Sequence, residues 1–257
     1  MTVTDVNVVK SAIFERPDDA NKGTLGSLLC VCGSYGMAGA AVMSAKGALR
    51  TGIGLAKCAL PRSIYPIVAQ TILESVYYPL SENADGRISK VNVPFLVSES
   101  CKSSATLIGC GLGVCDDTLK IVLSLIENST TPLVLDADAL NCVAKQPEIL
   151  LRKKAPIIIT PHPGEMSRLT GLATPLVNAE RERVALDFAQ KYGVVTVLKG
   201  AGTVIASPNG KVLVNPTGNS GMATGGSGDV LAGMTASILA QGASAFSSAA
   251  AAVYLHG

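Results

Sequence analysis

Short apolar runs of strand length recur along this chain, and most end in glycine, proline or aspartate. Ser27 to Cys32, Ile53 to Leu60, Ala105 to Gly109, Pro132 to Asp136, Pro156 to Thr160 and Val194 to Leu198 are such runs. Several are continuous rather than alternating with polar residues, so both faces of those strands must be covered. Between them lie Ala38 to Arg50, Asp116 to Glu127 and Asn178 to Tyr192, rich in helix formers and free of proline. This alternation predicts an α/β fold with a central, mainly parallel sheet between two helical layers. A short helix around Ser63 to Ala69, a strand near Leu73 to Tyr77 and a loop over Ser81 to Arg87 fill the first half. Thr203 to Ala206 and Lys211 to Val214 flank Ser207-Pro-Asn-Gly210, which reads as a hairpin. Alanine-rich helices over Asp229 to Gln241 and Ala243 to Leu255 close the sequence. No repeat or linker interrupts the 257 residues, so one domain is expected. The last helix has neither cap nor polar tail, so a truncated C-terminus is expected.

Composition narrows the function classes. Hydrophobic residues make up 48% and charged residues only 16%, which predicts extensive covered surface and a homo-oligomer. The net charge of +2 comes without a basic cluster, and there is no Trp and only four Phe. Neither a nucleic-acid surface nor a base-stacking platform is expected. Seven cysteines, mostly inside apolar runs, suit free thiols rather than a disulfide framework. The two histidines, His162 and His256, lie near no cysteine pair, which argues against structural zinc. The first 23 residues carry Asp5, Glu15, Asp18 and Asp19 with no long apolar stretch. Neither a signal peptide nor a membrane span is expected, and a reducing cytoplasm fits.

The motifs cluster where strands end. Asn215-Pro-Thr-Gly-Asn-Ser-Gly-Met-Ala-Thr-Gly-Gly-Ser-Gly-Asp229 runs straight into a helix. Gly225, Gly226, Ser227 and Gly228 let successive amides converge, and the helix start adds its own unpaired N–H groups. This is an anion cradle suited to phosphate. Asp229 at its end reads as a base that takes a proton from an attacking hydroxyl; a simple N-cap is the competing reading. Gly33-Ser-Tyr-Gly-Met-Ala-Gly-Ala40 and Gly109-Cys-Gly-Leu-Gly113 are glycine turns after strands, placed either for ligand approach or for tight helix packing. In Thr160-Pro-His-Pro-Gly-Glu165 two prolines brace His162 for ligand contact. Lys199 in Lys199-Gly-Ala-Gly-Thr203 either meets phosphate or ribose oxygens or is a solvated turn residue. Asp136 and Asp138 could hold a hydrated Mg²⁺ beside phosphates; equally, Asp138 could cap the next helix. All six segments fall at the carboxyl ends of strands, the ligand-binding edge of an open α/β sheet.

The same segments, in this order, resemble the NAD(P)H-hydrate dehydratases, specifically the bacterial ADP-dependent kind. The likeness runs from Lys22-Gly-Thr24 to Tyr254-Leu-His-Gly257, with Cys110 standing where a proline is common. It implies a ribokinase-like three-layer αβα fold. It implies dehydration of hydrated NADH and NADPH (NADHX and NADPHX) coupled to conversion of ADP, with ATP as an alternative, to AMP and phosphate, with Mg²⁺ on the phosphates. It implies that Ala40, Gly111 or Gly113, His162 and Asp229 contact the hydrated dinucleotide. Lys199, Gly200, Ala201, Gly202, Thr203 and Gly228 would contact the adenine nucleotide. A tetramer is favoured by the same resemblance. Two other functions use the same parts: a ribokinase-like kinase acting on a small vitamin-precursor alcohol, and a nucleotide-binding protein without catalysis.

Overall fold

The computed structural model describes residues 2–13 and 15–257; Met1 and Phe14 lie outside it. The chain builds α1 (Val6–Ala12), β1 (Ser27–Val31), α2 (Ala38–Arg50), β2 (Leu55–Pro61), α3 (Tyr65–Thr71), β3 (Val76–Leu80) and α4 (Val93–Lys102). It continues with β4 (Ala105–Ile108), α5 (Asp116–Asn128), β5 (Leu133–Leu135), α6 (Asp138–Val143), β6 (Ile157–Ile159), α7 (Pro163–Thr170), α8 (Thr174–Ala179) and α9 (Arg181–Tyr192). β7 (Val195–Leu198), β8 (Val204–Ala206), β9 (Val212–Val214), α10 (Ser227–Ala240) and α11 (Ala245–His256) complete it.

All nine strands form one sheet in the order β3-β2-β1-β4-β5-β6-β7-β8-β9. It is parallel from β3 to β7, and the two strands of the β8–β9 hairpin add antiparallel. Consecutive residues of β1 divide between the faces: Leu28 and Cys30 join α2, α3, α10 and α11, whereas Leu29 and Val31 join α4, α5, α7 and α9. That is the expected three-layer αβα arrangement. It explains the unbroken apolar runs, since each strand meets a helix on both sides.

Helices α2 and α10 pack backbone to backbone. A Cβ on Gly233 would lie 2.0 Å from the Ser44 carbonyl oxygen, so only glycine lets the helices approach this closely. That contact fixes where α10 starts relative to the sheet.

The structure departs from the expected elements in several places. The expected Asn178–Tyr192 helix is two helices, because Glu180 leaves the helical region at φ −125° and ψ 40°. The expected strand near Leu73 begins three residues later, at Val76. α1, α4 and α7 were not anticipated: α1 and α7 are short, and α4 has proline at its start.

Strand order reverses between β1 and β4, whose neighbours run off in opposite directions. Their following loops, Gly33–Met37 and Gly109–Cys115, meet at this switch point, the edge at which open α/β sheets bind ligands.

Candidate active site

Helix α10 opens on Gly226, an N-cap at φ 92° with no capping side chain. Asp229 is thus the third residue of the helix, and the competing N-cap reading does not apply. Among the described residues, no acceptor takes the amide protons of Gly226, Gly228 or Asp229. They face outward with the positive end of a fourteen-residue helix behind them.

The Asp229 carboxylate instead meets the loops after β4 and β5. Its oxygen, a carboxylate oxygen of Asp136 and Sγ of Cys110 all lie within 4.8 Å of one another. Burial pushes the Asp229 pKa up to about 6, and the Asp136 charge pushes the same way; a Cys110 hydrogen bond and Lys199 oppose them. The Asp229 carboxyl therefore lies nearer the working range of a general base than an ordinary aspartate does. The neighbouring Cys32 thiol, and then burial, raise the Cys110 pKa, so Cys110 keeps its proton.

Asp136 is buried. Its Oδ1 accepts from Lys199 Nζ and from Thr160 Oγ1, both at 2.7 Å, and its Oδ2 faces Cys110 Sγ at 3.7 Å. Lys199 also lies 3.9 Å from Glu165 Oε2. Burial alone would lower the Lys199 pKa, but the charges of Asp136 and Glu165 outweigh it and hold the ammonium above its ordinary value. Lys199 is accordingly a buried cation anchored by two carboxylates, and not a solvated turn residue. Burial raises Glu165 in turn.

Glu165 and His162 form a capping box on α7. The His162 amide donates to Glu165 Oε2 at 2.8 Å, and His162 Nδ1 accepts from the amides of Gly164 and Glu165. The neutral ring then carries its proton on Nε2, 3.5 Å from Glu165 Oε1. Two prolines were expected to brace His162; the capping box adds the restraint that sets the ring's direction. The spacing of Glu165 three residues after His162 was legible, but its contact with Lys199 is made across the sheet.

A cleft of about 760 Å³ opens beside this network. Lys199, Gly200, Ala201, Gly202, Thr203 and Gly228, the residues expected to meet the adenine nucleotide, all line it, together with His162 and Ser227. Gly225 and Gly226 precede the helix without lining it. Its inner end is apolar, with Met222, Leu231 and Val253, and His256 stands beside Ser227. Sequence reading had given His256 no role in this cleft.

Ala40, Gly111 and Gly113 do not line this cleft and lie at the switch point, after β1 and β4. The Gly33 amide donates to the Cys110 carbonyl at 2.8 Å, and Ser34 Oγ to the Gly111 carbonyl at 2.8 Å. Gly111 has φ 61°, and a Cβ there would lie 2.7 Å from the Ala40 Cβ. The tight-packing reading of these glycine turns therefore holds.

Ala137, at φ 48°, is the one non-glycine residue with positive φ among the described residues. This strained link sends its two neighbours to different places. Asp136 goes to Lys199, whereas Asp138 Oδ2 accepts the Gly113 amide at 2.8 Å and its Oδ1 accepts from Asn141 at 3.3 Å. Asp138 does not cap α6. The two carboxylates therefore do not form a pair; Asp136 instead groups with Cys110 and Asp229, whose ligand atoms lie close enough together to hold a metal ion.

A sequence profile described as NAD(P)H-hydrate dehydratase matches residues 28–257. The chain belongs to the NAD(P)H-hydrate dehydratase family. It is 36% identical over 94% of its length to the ADP-dependent (S)-NAD(P)H-hydrate dehydratase of Neisseria meningitidis serogroup B, covering 78% of that protein. It is 39% identical over 96% of its length to the bifunctional NAD(P)H-hydrate repair enzyme Nnr of Moorella thermoacetica, covering 47% of it. The chain thus spans about half the length of the bifunctional relatives it matches. The ADP/ATP-dependent NAD(P)H-hydrate dehydratase of Bacillus subtilis, co-crystallised with ATP/Mg²⁺, superposes with a TM-score of 0.83 at 32% identity, covering all of this chain and 88% of that one. The family suggested by the motifs is the family matched, and the fold is the ribokinase-like one that the family implies.

Proposed function

We propose that this domain dehydrates hydrated NADH and NADPH, using an adenine nucleotide to convert the ring hydroxyl into a leaving group. One observation carries the reading. The Asp229 carboxylate, next in sequence to the cleft-lining Gly228 and beside Cys110 of the loop after β4, has its pKa raised to about 6.

In this reading the nucleotide lies in the cleft, with its terminal phosphate at Lys199 and the amides of Gly228 and Asp229. The hydrate lies against Ala40, Gly111 and His162. Asp229 takes the hydroxyl proton while the oxygen bonds to the terminal phosphorus of ADP, and AMP leaves with the electrons of the broken P–O bond. The helix amides and Lys199 meet the charge that develops on the transferred group. The ring nitrogen then expels phosphate from the adjacent carbon, and loss of a neighbouring proton restores the reduced ring. Mg²⁺, which the B. subtilis relative was crystallised with, would supply charge neutralisation on the nucleotide's own oxygens.

The test is incubation with hydrated NADH or NADPH and either ADP or ATP, following recovery of reduced-nicotinamide absorbance. Nucleotide-dependent recovery is expected. A stable phosphoester formed from an alcohol, with no recovery, would mean the kinase reading instead; nucleotide binding with neither product would leave a non-catalytic binder. Light scattering tests the expected tetramer.

A further inference from the structure

The turn Asn83–Arg87 contributes nothing to the site as described so far, yet it closes over the switch-point loops. The Tyr35 amide donates to the Gly86 carbonyl at 2.9 Å. The Arg87 side chain lies flat on Gly113, where a Cβ would come within 2.5 Å of Arg87 Nε. Along the loop that leaves Cys110, which lies beside Asp229, Gly111 meets Ala40 and Gly113 meets Arg87, and Gly86 of the facing turn meets Tyr35.

The Tyr35 and Arg87 end of these loops is chemically unlike the rest. Tyr35 is 75% exposed, although an aromatic ring is costly to leave in water. Arg87 is half-buried, and its ties are long. Nη1 lies 3.4 Å from Asp85 Oδ2 and 3.4 Å from the Val114 carbonyl, and the Asp85 partner is itself mostly exposed. Such bonds are weak and readily exchanged for a better acceptor. A planar guanidinium matches two phosphate oxygens, and an exposed tyrosine ring offers a stacking face for a base.

We propose that Tyr35 and Arg87 bind the phosphorylated-nucleoside end of the dinucleotide substrate, with Arg87 taking a phosphate and Tyr35 stacking on the base. The inference rests on the dehydratase reading, because that reading puts the reacting ring at Asp229 and so directs the remainder of the substrate along these loops. The phosphate is either the bridging pyrophosphate, present in both substrates, or the 2′-phosphate of the NADPH form alone.

The experiment compares Arg87→Ala, Arg87→Lys, Tyr35→Ala and Tyr35→Phe with the parent chain. It measures the dissociation constants of NADPH and NADH by fluorescence titration, then KM and kcat for both hydrates. Loss of one charge-assisted phosphate contact predicts an increase of about tenfold in the NADPH dissociation constant and the hydrate KM for Arg87→Ala. The loss falls in KM rather than kcat, and Arg87→Lys restores part of it. Tyr35→Ala weakens binding, and Tyr35→Phe keeps it. An equal effect on both dinucleotides assigns the pyrophosphate, and an effect confined to NADPH assigns the 2′-phosphate. Unchanged constants for both dinucleotides in Arg87→Ala and Tyr35→Ala overturn the proposal. Binding is read without turnover. A parent chain that binds NADPH through Arg87 but never restores the reduced ring would overturn the dehydratase reading and leave this subsite standing.

Discussion

The two sides of Asp229 are built in opposite ways. On the cleft side, Lys199 to Thr203 and Gly228 at the start of α10 line open space, and a Cβ on Gly202 or Gly228 would come no nearer than 3.5 Å to another atom. On the switch-point side the glycine turns rest on one another, and a Cβ on Gly111 would collide with Ala40. The difference is one of division of labour. Under the proposed function, a flexible polyphosphate would lie in the cavity and the reacting ring against the packed turns. Asp229 belongs to neither side, and its raised pKa comes from being buried between them.

Removing the carboxylate should have the largest effect. Asp229→Asn should lower turnover by about 10²- to 10⁴-fold while leaving nucleotide binding in place, as calorimetry would show. The same variant should raise the melting temperature at neutral pH. The folded pKa of about 6 lies above the ordinary 3.8, so folding favours the protonated form; that advantage is lost as pH rises from 3.8 through about 6. A melting temperature that falls in Asp229→Asn would contradict this account of its burial.

Next in size is Lys199→Ala, which leaves Asp136 and Glu165 buried without their cation. It should cost about 3 kcal/mol of stability and raise the nucleotide KM. Denaturant titration separates the two effects, since nucleotide cannot restore the missing ion pair. The comparison of the two walls is then tested directly with alanine. Gly111→Ala should destabilise by about 2 kcal/mol, through both its positive φ and the Ala40 contact. Gly225→Ala should stay within about 0.5 kcal/mol. Equal losses in the two variants would erase the distinction between a rigid wall and an open cradle.

The smallest expected effect is a shift in pH dependence. Turnover should fall below about pH 6 as Asp229 takes up a proton. Asp136→Asn removes the neighbouring negative charge and frees Lys199, and both changes favour ionised Asp229, so the acid limb should move to lower pH. Burial, the larger cause, is untouched, which keeps the limb above the ordinary 3.8.

Much of the site was legible as segments. Glycine turns, the His162 motif, Lys199 and Asp229 could be singled out because each follows an apolar strand. Their grouping was less legible. Lys199 read alone is an ordinary turn cation; only the β5 and α7 carboxylates beside it make it a buried anchor. Asp136 and Asp138 read equally as metal-holding carboxylates or, for Asp138, as a helix cap; the positive φ of Ala137 sends them to different partners, Lys199 and the Gly113 amide. Thr160, Cys110 and Glu165 carry no strong signal because the partners that draw them into the site, Asp136 for the first two and Lys199 for the third, lie 24, 26 and 34 residues away. α4 was missed because its helical stretch begins with Val93-Pro94.

Sequence by itself determined the layers and the edge on which ligands bind. An apolar run without alternation can be satisfied only between two helical layers, and parallel strands bring all their following loops to one end. Tertiary structure alone decided which loops share a side of Asp229 and what its carboxylate faces. Those relations depend on strand order, which reverses between β1 and β4, and on the α2–α10 approach at Gly233. Neither is a property of local pattern, because both join residues that hydrophobic periodicity treats as independent.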